Sequence, residues 1–406
     1  MLKYHTLSSP DVQGLSFIVS SQSLDNPAYV GHEIESESNP IRARLEAYAQ
    51  LAHWYFNAES EAVRQKALKV LEQLLPGFHL TGVAFGEKAG VAQVSRMVMP
   101  VDITNDFMIL HGDIRADQIF SPRLQGRPVY DRYPIYHRFG TANPFTGVHA
   151  FAPKLVGPGE ELKDFWGTLS IPGAQALIPA MAEFMAAVRS LTTVPIAFAV
   201  DGHEVDDDDF NQLWPAAALF NRGQAGPWPY HNMVGTVGQQ MVHEVWAAIG
   251  ADRMEIWPKK LFNAFHTDYA RQRVQRLAIN EVVLFGVARE ICDTESAMGA
   301  QNILVNRQHW PMSVVLAYDL TKELDAKRSD LAMRDLHKRG VFFSTSAHLK
   351  RWLLESHVAG NIAPSIPFMA LRDAAALIKG GMPVAQAVDE VLEYRPSSEQ
   401  VTELSI

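Results

Sequence analysis

The chain has 406 residues, of which 47% are apolar, 20% charged and 10% aromatic. That is ordinary globular composition, long enough for a large core, and it excludes disorder as the general state. A formal net charge of -9 argues against nucleic-acid binding over the whole surface, and the single cysteine, Cys292, excludes an intrachain disulfide or a thiolate zinc cluster. No run of 18 apolar residues suggests a membrane helix, and the amino terminus has no apolar signal core, so cytoplasm is the expected compartment.

In chain order, Leu15–Val19 is a short apolar run. Asn39-Pro40 has the residue types that cap and open a helix. Ile41, Leu45, Tyr48, Ala52 and Tyr55 then repeat at helical spacing. A second helix follows Ser60, with Val63, Ala67, Val70, Leu71 and Leu74 on one face, and Pro76-Gly77 ends it. Two opposed apolar stripes predict a helical hairpin. Leu80–Phe85 and Val91–Val101, separated by the Gly86–Gly90 loop, predict an antiparallel strand pair, with a further short strand over 107–110.

Segment 112–165 is rich in proline, glycine and aromatic residues. Proline at this density forbids helix, while the aromatics argue for order, so a lid, a binding loop or an arm wrapping a neighbour is expected. A helix over 177–191 leads into the apolar run Val194–Val200, the pattern of a buried strand. From there the pattern reads mostly as helix: 206–220, 237–249, 258–291, 312–324, 329–337, 346–357, 367–379 and 383–394.

These elements predict a helix-dominated α+β protein. It would have an amino-terminal helical hairpin and small antiparallel sheet in residues 1–165, and a mainly helical domain with one buried strand in residues 166–406.

Candidate chemistry lies beyond the apolar runs. Asp201-Gly202-His203-Glu204 follows the expected buried strand and leads into four more acids, Asp206–Asp209. Ligands bind at the carboxyl ends of strands in open α/β sheets, and carboxylates with an imidazole suit a divalent ion. The simpler reading is a helix start, where acids favour the positive end of the helix dipole. His111-Gly112-Asp113 has the same form, so Asp201, His203, Glu204, His111 and Asp113 are the candidate metal ligands. Phosphate-loop, dinucleotide and serine-elbow signatures are missing. Cys292, at the end of a helical pattern, reads as a small buried hydrophobe rather than a nucleophile.

Charge is uneven. Residues 257–352 carry 15 Lys and Arg against 10 Asp and Glu, a net of +5. Arg271, Arg273, Arg276, Lys338, Arg339, Lys350 and Arg351 therefore read either as solvated faces or as a docking surface for an acidic partner, protein or nucleic acid. The leading expectation is a non-enzymatic assembly or adaptor subunit, docking through segment 112–165 and these basic residues, with a protein partner or self-association. The alternative is a metal-assisted hydrolytic enzyme built on Asp201, His203 and Glu204.

Overall fold

The computed structural model describes residues 39–75, 95–109, 170–191, 194–202, 232, 239–250, 252–259, 261–305, 310–358 and 364–392. Helix α1 (Pro40–Asn57) opens as expected, the Asn39 side chain accepting from the Arg42 N–H at 3.1 Å. Helix α2 (Glu61–Leu74) returns along it, and the buried Tyr48 hydroxyl donates to the Leu74 carbonyl at 3.0 Å. The predicted hairpin is therefore present.

The sheet differs from the expectation. Strands β1 (Arg96–Val101), β2 (Ile196–Asp201), β3 (Met254–Lys259), β4 (Glu281–Val287), β7 (Ser313–Lys322) and β8 (Phe342–Ser344) form one six-stranded sheet in the order β3-β2-β1-β4-β7-β8. Every pairing in it is parallel. A two-residue ladder, β5 (Leu304–Val305) with β6 (Trp310–Pro311), is antiparallel. The architecture is therefore α/β, and the helix-dominated α+β reading with a small antiparallel sheet is corrected. β1 and β2, from either side of the expected boundary at 165/166, are hydrogen-bonded neighbours.

The cause of the misreading is physical. β1, β2 and β4 are buried at every position. Successive strand residues point to opposite faces, so full burial means that both faces are covered. Such strands lose the apolar–polar alternation that marks a strand, and a run like Val282-Val283-Leu284-Phe285 cannot be told from a buried helix by periodicity. The expected helix over 258–291 is instead the end of β3, helix α6 (Asp268–Arg276), β4 and a single π-helical turn, Arg289–Asp293. The expected helix over 312–324 is β7. The residues expected as a strand over 107–110 belong instead, as far as Met108, to the short helix α3 (Asn105–Met108). Segment 112–165, the 80–94 strand and loop, and residues 206–220 lie outside the described residues.

The remaining helices cover the sheet. They are α4 (Ile178–Arg189), α5 (His243–Ile249), α7 (Thr294–Gln301), α8 (Ala326–Lys338), α9 (Ser346–Val358), α10 (Ile366–Lys379) and α11 (Val384–Val391). Phe184 of α4 meets Phe285 of β4 edge to face at 5.4 Å. Helix α10 lies on α1, with Phe368 against Phe56 at 5.4 Å.

The strand order places a site. From β1 the chain moves outward through β2 to β3, then returns to the other side of β1 for β4, β7 and β8. The direction reverses between β1 and β4, and the crevice outside the carboxyl ends of strands at such a point is where open parallel sheets bind ligands.

Candidate active site

Four chemically capable side chains converge at that reversal. Asp102 directly follows β1, in the left-handed region with φ 51°. Its backbone N–H is held by the Ala199 carbonyl of β2 at 2.8 Å. Asp201 ends β2 and donates its backbone N–H to Asp102 Oδ1 at 2.8 Å. Lys259 ends β3, its carbonyl accepting the Gly202 N–H at 3.1 Å. Cys292 lies in the π-helical turn just past β4, which runs straight into α7.

Lys259 organises the group. Its Nζ is 2.7 Å from Asp102 Oδ2, 3.5 Å from Cys292 Sγ and 4.0 Å from Asp201 Oδ1. Asp102, Lys259, Asp201 and Cys292 are 0%, 1%, 4% and 5% exposed. Bulk water therefore does not screen these charges, and each acts at short range in a low dielectric.

Burial and pairing set the protonation states. Burial works against the Lys259 ammonium, but Asp102, the Cys292 sulfur and Asp201 outweigh it and hold its pKa above the ordinary value. Burial raises the Asp102 carboxyl; Lys259 pulls it down and Asp201 pushes it up again. Burial pushes the Cys292 thiol well above its usual range, with Lys259 opposing. The next residue, Asp293, is 0% exposed, and its carboxyl is raised well above the usual range, first by burial and then by Asp102. Burial thus favours the protonated thiol, and the Lys259 ammonium stands 2.7 Å from Asp102 Oδ2 beside it. A carboxylate near a thiol can accept its proton, and an ammonium 3.5 Å from the sulfur stabilises the thiolate that results.

Of the expected metal ligands, Asp201 reaches this cluster. His203, Glu204, His111 and Asp113 lie outside the described residues. Among the described residues no group of three or more His, Cys, Asp or Glu side chains is placed to hold a metal. Cys292 is buried as expected, but beside an acid and a base rather than in an apolar pocket. Asp102, Lys259 and Cys292 escaped the sequence reading. A usable signal existed for two of them: Asp102 and Lys259, like Asp201, are charged residues closing an apolar run.

Most of these basic residues have an acidic neighbour. Arg273 pairs with Glu255, Arg271 with Asp268, Arg339 with Asp335, Lys350 with Glu183 and Arg351 with Asp373. Each of these cations answers an acid of its own fold, and Lys338 also has a partner. Arg276 is exposed in the last turn of α6, where a cation favours the helix dipole. The adaptor reading gains no support from them. No described helix is long and apolar enough to cross a membrane.

No family model and no curated protein matches the chain. Among solved structures, the pyrazinamidase/nicotinamidase of Streptococcus mutans is 18% identical, aligned over 62% of this chain and 100% of that one, with a TM-score of 0.40. An isochorismatase-like hydrolase from Alkaliphilus metalliredigens is 18% identical over 64% of this chain and 100% of its own, TM-score 0.39. The pyrazinamidase of Pyrococcus horikoshii, in complex with zinc, is 17% identical over 62% and 99%, TM-score 0.38. At these scores the likeness carries no argument about chemistry.

Proposed function

We propose that the chain is a cysteine-dependent hydrolase of a small acyl compound, with a carboxamide as the substrate class. The observation that carries the reading is one ammonium, Lys259 Nζ, held 2.7 Å from a buried carboxylate and 3.5 Å from a buried thiol. Structural cysteines sit among apolar groups and stay inert. A thiol sharing a dry site with both a base and a cation has what nucleophilic catalysis needs.

In this reading Asp102 takes the Cys292 proton as Sγ attacks the substrate carbonyl. The S–C bond forms and the carbonyl electron pair moves onto oxygen. Lys259 compensates the charge that develops on sulfur. As the oxyanion collapses, the C–N bond breaks, and Asp102 returns its proton to the departing nitrogen, leaving a thioester. Asp102 then takes a proton from water, which attacks the thioester. The S–C bond breaks, the acid is released and the thiol regains its proton.

A divalent ion beside this centre is part of the proposal. Asp201 is a carboxylate at the carboxyl end of β2, 4% exposed and 4.0 Å from Lys259 Nζ, and carboxylate oxygens suit a divalent ion. Asp201, with His203 and Glu204 close behind it in sequence, would hold the ion, and His111 and Asp113 are the further candidates. Bound there, it would supply a Lewis acid to orient or polarise the substrate.

Ammonia release from a panel of small carboxamides, with nicotinamide and pyrazinamide first, tests the function. C292A and D102N should lose at least 10³-fold in kcat while melting cooperatively, and a C292-linked acyl adduct should appear by intact mass on mixing with substrate. Wild-type turnover by C292A would overturn the reading.

A further inference from the structure

The turn bearing Cys292 is tied to the rest of the fold by its first two side chains, and mostly by one. Arg289 is 4% exposed. Its Nε donates to Thr321 Oγ1 at 2.7 Å, its Nη2 to the Thr321 carbonyl at 2.7 Å and its Nη1 to the Tyr318 hydroxyl at 2.9 Å. Nη1 also lies 3.0 Å from Glu323 Oε2, and the guanidinium carbon lies 4.1 Å from the Tyr318 ring centre. Glu290 reaches the same region, accepting the Leu324 N–H at 3.1 Å and the Asp325 N–H at 2.7 Å, just ahead of α8.

The target of Arg289 is an irregular stretch of β7. Pairing with β4 runs in register up to Leu284 opposite Leu316, then resumes with Gly286 opposite Thr321. Two steps along β4 are thus matched by five along β7, and the extra residues of β7 bulge between them. Thr321 Oγ1 donates in turn to the Tyr318 carbonyl at 2.8 Å, closing the bulge on itself. Bulges of this kind re-aim side chains beside active sites. Here the stretch presents two hydroxyls, a carbonyl, an aromatic face and a carboxylate to one guanidinium. Only a planar fork with several fixed donors satisfies such a set, so lysine is no substitute.

We propose that Arg289 is a positioning residue for the reaction, locking the Ala288–Asp293 turn onto the β7 bulge so that Cys292 Sγ stays in register with Lys259 and Asp102. This rests on the reading of Cys292 as nucleophile. Arg289 is three residues from the sulfur within one helical turn, so a shift at the guanidinium is passed on to Sγ. Misplacement of a reacting atom by about 1 Å costs on the order of 10²-fold in rate.

R289K, Y318F and T321V are to be compared with wild type in kcat, KM and the pH 7 rate of Cys292 alkylation by iodoacetamide, with T321S as the conservative rescue. R289K should lose about 10²-fold in kcat, Y318F and T321V about tenfold, with KM within threefold and T321S near wild type. Alkylation should slow at least fivefold in R289K, because the thiol loses its base and its cation. Merely loosened packing would expose the thiol and speed alkylation. If R289K fails to fold, Y318F, which removes one oxygen, carries the test alone. Unchanged kcat in a folded R289K or in Y318F, or faster alkylation, would overturn the proposal. The C292A arm separates the two readings: an active C292A sinks the nucleophile itself, whereas an inactive C292A beside a fully active R289K sinks the positioning role alone.

Discussion

Lys259 reaches Asp102 and Cys292 from a strand adjacent to neither of theirs: β2 lies between β3 and β1, and β1 lies between β2 and β4. Its side chain crosses the mouth of the sheet, and its ammonium is the charge that both partners share.

Replacing Lys259 with methionine should therefore act on the thiol as well as on stability. Lys259 opposes the burial that raises the Cys292 thiol pKa. Without it, the thiol titrates still higher, and the rising limb of the pH–rate profile should move to higher pH. Loss of a preorganised charge at the reacting atoms costs about 10²–10³-fold in kcat. The buried Asp102 left unpaired should lower stability by about 3–5 kcal/mol. Urea unfolding and a pH–rate series on K259M check both.

Gly286 sets the separation of the two strands that carry Asp102 and the Cys292 turn. A Cβ there would stand 2.0 Å from the Val101 carbonyl oxygen and 2.8 Å from its carbon, with φ at +147°. Backbone cannot swing aside as a side-chain tip can. G286A should lose most of its soluble yield or, if it folds, more than tenfold in kcat. G381A is the control: φ is +91°, but nothing lies within 4 Å of the new Cβ. It should cost only the left-handed backbone penalty of about 1–2 kcal/mol and leave kcat intact.

At the opposite ends of the same strands, Arg96 pairs with Glu281, both buried. Arg96 also donates to Ser356 Oγ at 3.1 Å and to the Pro364 carbonyl at 3.0 Å, and Glu281 accepts the Ile366 N–H at 3.0 Å. The pair thus fastens α9 and the start of α10 to the sheet. E281Q leaves a buried guanidinium uncompensated and should lose about 3–5 kcal/mol in denaturant unfolding, with KM unchanged.

His337 makes stability acid-sensitive. It is 1% exposed, between Tyr48 at 5.7 Å and Phe343 at 5.3 Å. Burial, assisted by the Arg44 charge, lowers its pKa to about 3. The folded state therefore keeps the imidazole neutral, while the unfolded chain binds a proton below about 6.5. The contribution is fully present above pH 6.5. It is lost as pH falls toward 3, at about 1.4 kcal/mol per pH unit. Urea midpoints of wild type and H337F at pH 7 and pH 5 should converge toward acid if this holds, and run parallel if it does not.

The sequence marked some of this and concealed the rest for identifiable reasons. The α1–α2 hairpin was legible because Asn39-Pro40 and the 3.6-residue stripes are local signals. Strand β2 was legible because Thr192-Thr193 separates it from the helix before it. β4 was not, since full burial on both faces erases its alternation, nor was β7, in which only Asp319 is exposed; periodicity alone does not separate such runs from a buried helix. The same error hid the site. With β4 taken as helix, Cys292 became a helix-end residue, and nothing local tied it to Asp102, 190 positions earlier by subtraction of their numbers. Asp201 was found because it closes a recognised strand. Asp102 closes one too, but in the expected hairpin that strand led to no binding crevice.

β1 and β4 carry an ion pair at one end and the reacting groups at the other, about 20 Å apart by strand rise. Enzymes often trade activity against stability where both demands fall on one set of residues. Here they fall on different ends of the same two strands. Substitutions that strengthen the Arg96–Glu281 end should raise the melting temperature with turnover untouched, which makes that end the place to begin engineering a hardier form of this chain.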